Sequence, residues 1–241
     1  MLRDASFVVT SGFVVLPLLV AFGFVFADQW AGRRLGEPVS IRRRRMLRLG
    51  AAVVAWLMMT WILASSGVLH RFELRPPPFA ALVLAIVIIG VAVPCSALGA
   101  RLVRGVPLWA LVGFQVFRFP LEVLMHQASI EGVIPVQMTY SGLNYDVVSG
   151  ITGGALGGWL ARASAPRWVV AAWNVLGFAL LVNIVTIALL STPVFHWFGA
   201  DRSSVFVTYV PFVWLPAVLV TAALMGHVLV WRWLAQARSK P

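Results

Sequence analysis

Two side chains that hydrocarbon rejects stand four residues apart inside an apolar stretch: Arg118 and Glu122. The surrounding sequence is Leu108-Trp-Ala-Leu-Val-Gly-Phe-Gln-Val-Phe-Arg-Phe-Pro-Leu-Glu-Val-Leu-Met-His. Gln115 and His126 continue the spacing of three and four, so the polar groups form one stripe on a helix. A charge at the bilayer centre costs at least about 2.5–3.5 kcal/mol on insertion scales. Two such residues on one face therefore need a reason. One reading is an internal Arg118–Glu122 ion pair that only locks helix packing. The other is a substrate, ion or proton site, where Glu122 titrates and Arg118 holds an anion or tunes its neighbour. Pro120, between them, removes a backbone hydrogen bond and is expected to kink the helix.

The segment that follows, residues 127–146, is the one connection without a basic residue. It supplies Tyr140, Asn144 and Asp146, and its Tyr-Ser-Gly-Leu-Asn run is turn-like. It reads either as an outer lid over the stripe or as an interfacial loop anchored by tyrosines. Further along, Asn174, Asn183 and Thr186 are polar groups of the kind that hydrogen-bond between membrane helices. Asn183, nearer the outer half, is the expected partner of the stripe. The candidate ligand-binding set is thus Gln115, Arg118, Glu122, His126, Tyr140, Asn144, Asp146 and Asn183. No catalytic residue is assigned. His70, His126 and His196 fall near outer span ends and His227 near an inner one. The outer three, with Glu73, Glu131, Asp146 and Asp201, raise the question of a metal site, and paired histidines that of haem. No local ligand spacing supports either, so no metal ligand is named and the cofactor stays open.

The elements that position these groups follow from composition. Of 241 residues, 61% are hydrophobic and 11% charged, against about 45–50% and 25% in soluble domains. Mean hydropathy is +0.91. A soluble or disordered chain is excluded. Seven apolar stretches, approximately 8–27, 50–69, 79–99, 107–126, 147–160, 168–190 and 211–233, have lengths suited to helices and no period-two alternation. The fifth is short, with Gly150, Gly153, Gly154, Gly157 and Gly158. Its glycines suit close helix approach or a surface left open to a flat ligand, and the segment is the one expected to tilt or re-enter. Alternate connections hold 14 Arg/Lys on one side and 4 on the other, with Arg118 inside a span. The bias places the N-terminus outside and the C-terminus in the cytoplasm. The expected fold is all-α: a single polytopic transmembrane helix bundle, residues 1–241, of about seven spans. Val25-Phe26-Ala27 imitates a cleavage site, but the apolar run before it is long and a basic segment follows, so cleavage is not expected.

Net charge +11 does not point to nucleic acid. The run Arg42-Arg43-Arg44-Arg45 lacks interleaved aromatics and any nucleic-acid-binding module. It reads as a flank contacting anionic lipid. Cys95 is the single cysteine, which excludes an internal disulfide and a cysteine-held metal cluster. No lysine lies in a span, so a retinal Schiff base is excluded. Motifs for intramembrane proteolysis and for a P-loop are missing. Pro17, Pro94, Pro120 and Pro216 do not occupy matching places in two halves, so no internal repeat is established.

Three runs carry a resemblance. They are Arg118-Phe-Pro-Leu-Glu122 with Ile134-Pro-Val-Gln-Met-Thr-Tyr-Ser-Gly-Leu-Asn-Tyr-Asp146; Trp173-Asn-Val-Leu-Gly-Phe-Ala-Leu-Leu-Val-Asn-Ile184; and Tyr209-Val-Pro-Phe-Val-Trp-Leu-Pro216. Together, over about residues 107–233, they resemble an uncharacterised family of bacterial multi-pass integral membrane proteins. The resemblance implies an inner (plasma) membrane location and no activity. In that family's loop motif an acid usually stands where this chain has Ser141, leaving Asn144 and Asp146 as the matching polar positions. The expected function is a small-molecule or ion carrier or binding protein with an intramembrane Arg/Glu site. A membrane-embedded enzyme or redox protein acting on a lipid or quinone, and a sensor or assembly factor, stay open beside it.

Overall fold

A computed structural model of the chain describes residues 5–236. Arg3, Arg238 and Lys240, which entered the charge count, lie outside the described residues. Those residues form helices and turns with no strand. In chain order the α-helices are α1 (Phe7–Arg34), α2 (Val39–Ser65), α3 (Pro78–Cys95), α4 (Ala97–Gly105), α5 (Leu108–Gly113), α6 (Arg118–Ile130), α7 (Val147–Arg162), α8 (Arg167–Leu190) and α9 (Thr221–Gln236). Six segments are long and apolar enough to cross a membrane: α1, α2, α3, Leu108–Ile130, α8 and Leu215–Gln236. The all-α transmembrane bundle read from composition is thus present. The count of seven is not matched on length. α7, the glycine-rich fifth stretch, has 16 residues, about 24 Å at 1.5 Å per residue, short of a hydrocarbon layer of about 30 Å.

Several boundaries have local causes. Ser6 caps α1 by accepting the Val9 N–H at 3.3 Å, and its own N–H donates to Glu131 at 2.8 Å. The third apolar stretch, expected to run through 79–99, breaks at Ser96. That residue turns extended and its hydroxyl accepts the Leu98 N–H at 3.1 Å, opening α4. Arg232 donates to the Pro94 carbonyl at 2.6 Å and, at 2.7 Å, to the Ser96 carbonyl, which also accepts the Ala100 N–H that starts α4. A basic side chain on freed C-terminal carbonyls is a recurring helix stop. In the fourth stretch, α5 and α6 are joined by a 3-10 turn, Phe114–Phe117, just ahead of Pro120. A π-helical turn, Leu215–Val220, carries Pro216 and leads into α9. Pro216 has no N–H to donate.

α7 packs on α5 and on the 3-10 turn. A Cβ on Gly157 would lie 2.7 Å from Gly113 Cα, and one on Gly150 2.5 Å from Phe119 N. Those glycines exist to let two backbones touch. Two apolar clusters fill the bundle. One contains Phe13, Phe79, Met125 and Phe206; the other contains Ala31, Leu102, Val112 and Val230. The connections 66–77, 131–146 and 191–214 gather at one pole, where Gln137 donates to Ser191 Oγ and to the Arg202 carbonyl. The opposite, arginine-rich pole holds Asp28, Glu37, Arg45 and Arg101.

Candidate functional site

Arg118 is the largest fully buried side chain of the described residues. It opens α6, where the 3-10 turn aims it inward. Its Nε and Nη2 grip both oxygens of Asp146, the Nε at 2.5 Å. Nη1 donates to the Gly177 carbonyl at 3.3 Å and lies 2.9 Å from His227 Nε2. A guanidinium only donates, so Nε2 must be the accepting nitrogen and the imidazole proton sits on Nδ1. That proton is donated to Asn174 Oδ1 at 2.8 Å, while Asn174 Nδ2 returns a bond to the His227 carbonyl at 3.1 Å. Gly177 must be small. A Cβ there would lie 2.6 Å from His227 Cε1.

Glu122 does not pair with Arg118. Its Oε1 accepts from Asn144 Nδ2 at 2.7 Å. Asn144 also donates to the Met138 carbonyl at 3.0 Å, and its Oδ1 accepts the Asp146 N–H at 3.0 Å. One buried amide thus holds the Glu122 carboxyl and the backbone of Asp146 together. The i, i+4 ion pair considered from sequence is corrected here: the guanidinium turns to Asp146, whose two oxygens match its planar fork. Glu122 Oε2 is buried and has no hydrogen-bond partner among the described residues. The Glu122 side chain borders a void of about 30 Å³, shared with Arg118, Asp146 and apolar side chains such as Phe117, Leu181, Leu215 and Leu219. A cavity needs about 10–15 Å³ of space to hold a water molecule, so water fits there. Gln115 donates to the Ala223 carbonyl at 3.0 Å, and its Oε1 is likewise buried without a partner.

The structure therefore brings Gln115, Arg118, Glu122, Asn144 and Asp146 into the bundle interior. The other three lie at the edge. His126 is half-buried, stacks on Tyr140 with centroids 4.4 Å apart, and meets Ser141 Oγ at 3.1 Å. Asn183 donates to the Leu143 carbonyl at 2.9 Å and pins the loop. The polar partner that α8 offers the stripe is Asn174, through His227, and not Asn183. The loop itself is no surface cover: Ile134, Gln137, Met138 and Thr139 are buried, while Tyr140 and Tyr145 stay exposed.

His227, which the sequence puts near an inner span end, is fully buried in mid-helix. The signal for it was present in Gly226, whose Cβ would collide with Gln115 Nε2, marking the face of α9 that packs on the stripe. Among the described residues no group of three His, Cys, Asp or Glu lies together as a metal site.

A second charged cluster went unread in the sequence. Arg101 of α4 binds Asp28, which is fully buried in α1, and grips Glu37 with Nε and Nη2, both at 2.7 Å. Arg45 of α2 adds a 2.8 Å bond to Glu37. The Arg101 hydrogen bonds hold the Glu37 carboxyl well below its ordinary value of 4.5, at about 2. Comparison of the chain with protein-family models, curated proteins and solved structures finds no match.

Proposed function

We propose that the protein is an inner-membrane carrier of bacterial type that takes up and releases a proton at Glu122. The observation that carries this reading is the Oε2 of Glu122, buried and unpartnered among the described residues, on a side chain that lines a void of about 30 Å³. A buried carboxyl oxygen without a donor is costly. A proton on it, or a water beside it, is what the space and the chemistry allow. An organic substrate has no room there. The expected small-molecule or ion carrier thus narrows to an ion of the smallest kind.

Two features support movement around the site. The void is flanked by the 3-10 turn before Pro120, through Phe117, and by the π turn, through Leu215, Leu219 and Val220. Such irregular turns inside helices are frequent at hinges and functional sites. The excess of arginine on one set of connections supports a cytoplasmic C-terminus.

The test uses protein reconstituted in vesicles that enclose a pH-sensitive dye, with the membrane potential clamped. After an external pH step, the wild type equilibrates faster than protein-free vesicles, and Glu122→Gln falls to the protein-free rate. Equal rates for wild type and protein-free vesicles, or for wild type and Glu122→Gln, overturn the reading.

A further inference from the structure

A cavity of about 870 Å³ lies between α1, α2, α3, α4, α5, α7 and α9. It is separate from the Glu122 void. Its walls are hydrocarbon almost throughout, with Phe24, Val53, Leu102, Phe114, Gly157 and Leu229 among them. The space exists because α2 stands off the bundle. Of that helix only Leu57, Thr60 and Ala64 are buried. It is tied in at two levels. Toward the loops, the Trp56 indole donates to the Ala217 carbonyl at 2.8 Å and the Trp214 indole to the Leu57 carbonyl at 3.3 Å. At the other end, Arg45 binds Glu37, and Gln29 donates to the Arg42 carbonyl at 3.1 Å. Between these ties α2 lends Leu49, Ala52 and Val53 to the cavity wall.

The cavity also opens sideways. Phe26, Trp109 and Val116 line it while being 66%, 40% and 47% exposed, on helix faces that a bilayer covers. A space this apolar rejects water. Its size falls within the range of ligand pockets, about 300–1,000 Å³. In a membrane the group with access to it is a hydrocarbon chain.

Charge at one end says which lipid. Stepping back from Leu49 by four and then three residues along the same face of α2 reaches Arg45 and Arg42. The Arg42 stem lies against Gly32, where a Cβ would come within 2.9 Å of its Cδ, and its Nε is buried with no hydrogen-bond partner among the described residues. On the α7 wall, Arg162 follows the lining residue Ala161 and bonds the Gly158 carbonyl at 2.9 Å. The acids of this pole, Asp28 and Glu37, are already engaged by Arg101 and Arg45. The pole beyond this end of the cavity thus keeps a surplus of guanidinium groups, the chemistry that holds phosphate oxygens.

We infer that the cavity is a binding site for an anionic phospholipid, one acyl chain lying between α2 and the bundle and the phosphate taken by Arg42. The test is native mass spectrometry of the full chain in a mild detergent, titrated with phosphatidylglycerol or with phosphatidylcholine of identical acyl chains. Wild type retains one phosphatidylglycerol at about fivefold lower concentration than phosphatidylcholine, the preference one arginine gives near an anionic group. Arg42→Gln removes that preference and leaves phosphatidylcholine retention unchanged. Ala52→Trp, which fills the cavity from its open side, loses both lipids. Equal retention of the two lipids by wild type, or an Arg42→Gln variant that keeps the preference, overturns the inference. So does an Ala52→Trp variant that retains both lipids. Should Ala52→Trp fail to fold, the wild-type pair and Arg42→Gln decide alone. Glu122→Gln retains lipid as the wild type does, so failure here and failure of the proton reading are separable.

Discussion

The two charged clusters use the same chemistry to opposite ends. At the arginine-rich pole, Asp28 and Glu37 face two arginines, and Glu37 receives three hydrogen bonds from them. Around Arg118, two carboxyl groups stand near one guanidinium. Of the two only Asp146 bonds it, alongside the Gly177 carbonyl and His227, and Glu122 is left with an amide on one oxygen and, among the described residues, nothing on the other. The first arrangement is balanced and ties α1, α2 and α4 together. The second is short of one donor in the driest part of the molecule. Charge balance separates a latch from a site that has work for a proton. Burial alone does not, since Asp28 is as buried as Arg118.

The sharpest way to break this contrast is to remove the central cation. Arg118→Met strands the Asp146 carboxylate and should cost about 3–5 kcal/mol, read as thermal unfolding in detergent. Adding Asp146→Leu should recover most of that loss. A single substitution that unfolds at the wild-type temperature would show that the pair is not what holds α6 to α7. Next in size is Gly177→Ala. Its Cβ must displace His227, so about 1–3 kcal/mol should be lost, and the loss should shrink when His227→Ala is added. Additive losses in the pair would place the steric conflict elsewhere.

The smallest effect lies at the latch. The folded-state value of Glu37 is depressed to about 2 from 4.5. Its contribution is therefore complete above pH 4.5 and disappears as pH falls from there toward 2. The side chain keeps 21% of its exposure, so about 1 kcal/mol is expected. Glu37→Gln should lower the unfolding temperature above pH 4.5 and lose the wild-type fall across that window, so that the two proteins converge toward pH 2. A wild-type profile already flat between pH 4.5 and 2 would show that the latch carries no weight.

The fold was legible because lipid imposes long apolar helices, and the polar stripe was legible because arginine and glutamate in such helices are rare. Pairing was not. Spacing placed Arg118 beside Glu122, yet the direction of the guanidinium was decided by Asp146, 28 residues along at the end of a loop buried in the bundle. His227 was hidden by distance along the chain, since its partners Asn174 and Arg118 lie 53 and 109 residues away. Asp28 and Arg101 were hidden differently. Each reads as an ordinary charge at a span end, and only the break at Ser96 turns α4 back to join them. The α7 glycines were read as packing or as an open surface; Gly150 and Gly157 pack on neighbouring backbone, while Gly154, Gly157 and Gly158 line the apolar cavity.

The central claim is that Glu122 is the protonatable member of the buried network, and infrared difference spectroscopy across a pH step measures that directly. The account predicts a carboxyl stretching band in the wild type that shifts on exchange into heavy water and is lost in Glu122→Gln, with the Asp146 carboxylate bands unchanged. A band that survives in Glu122→Gln, or one that vanishes only when Asp146 is replaced, would contradict it.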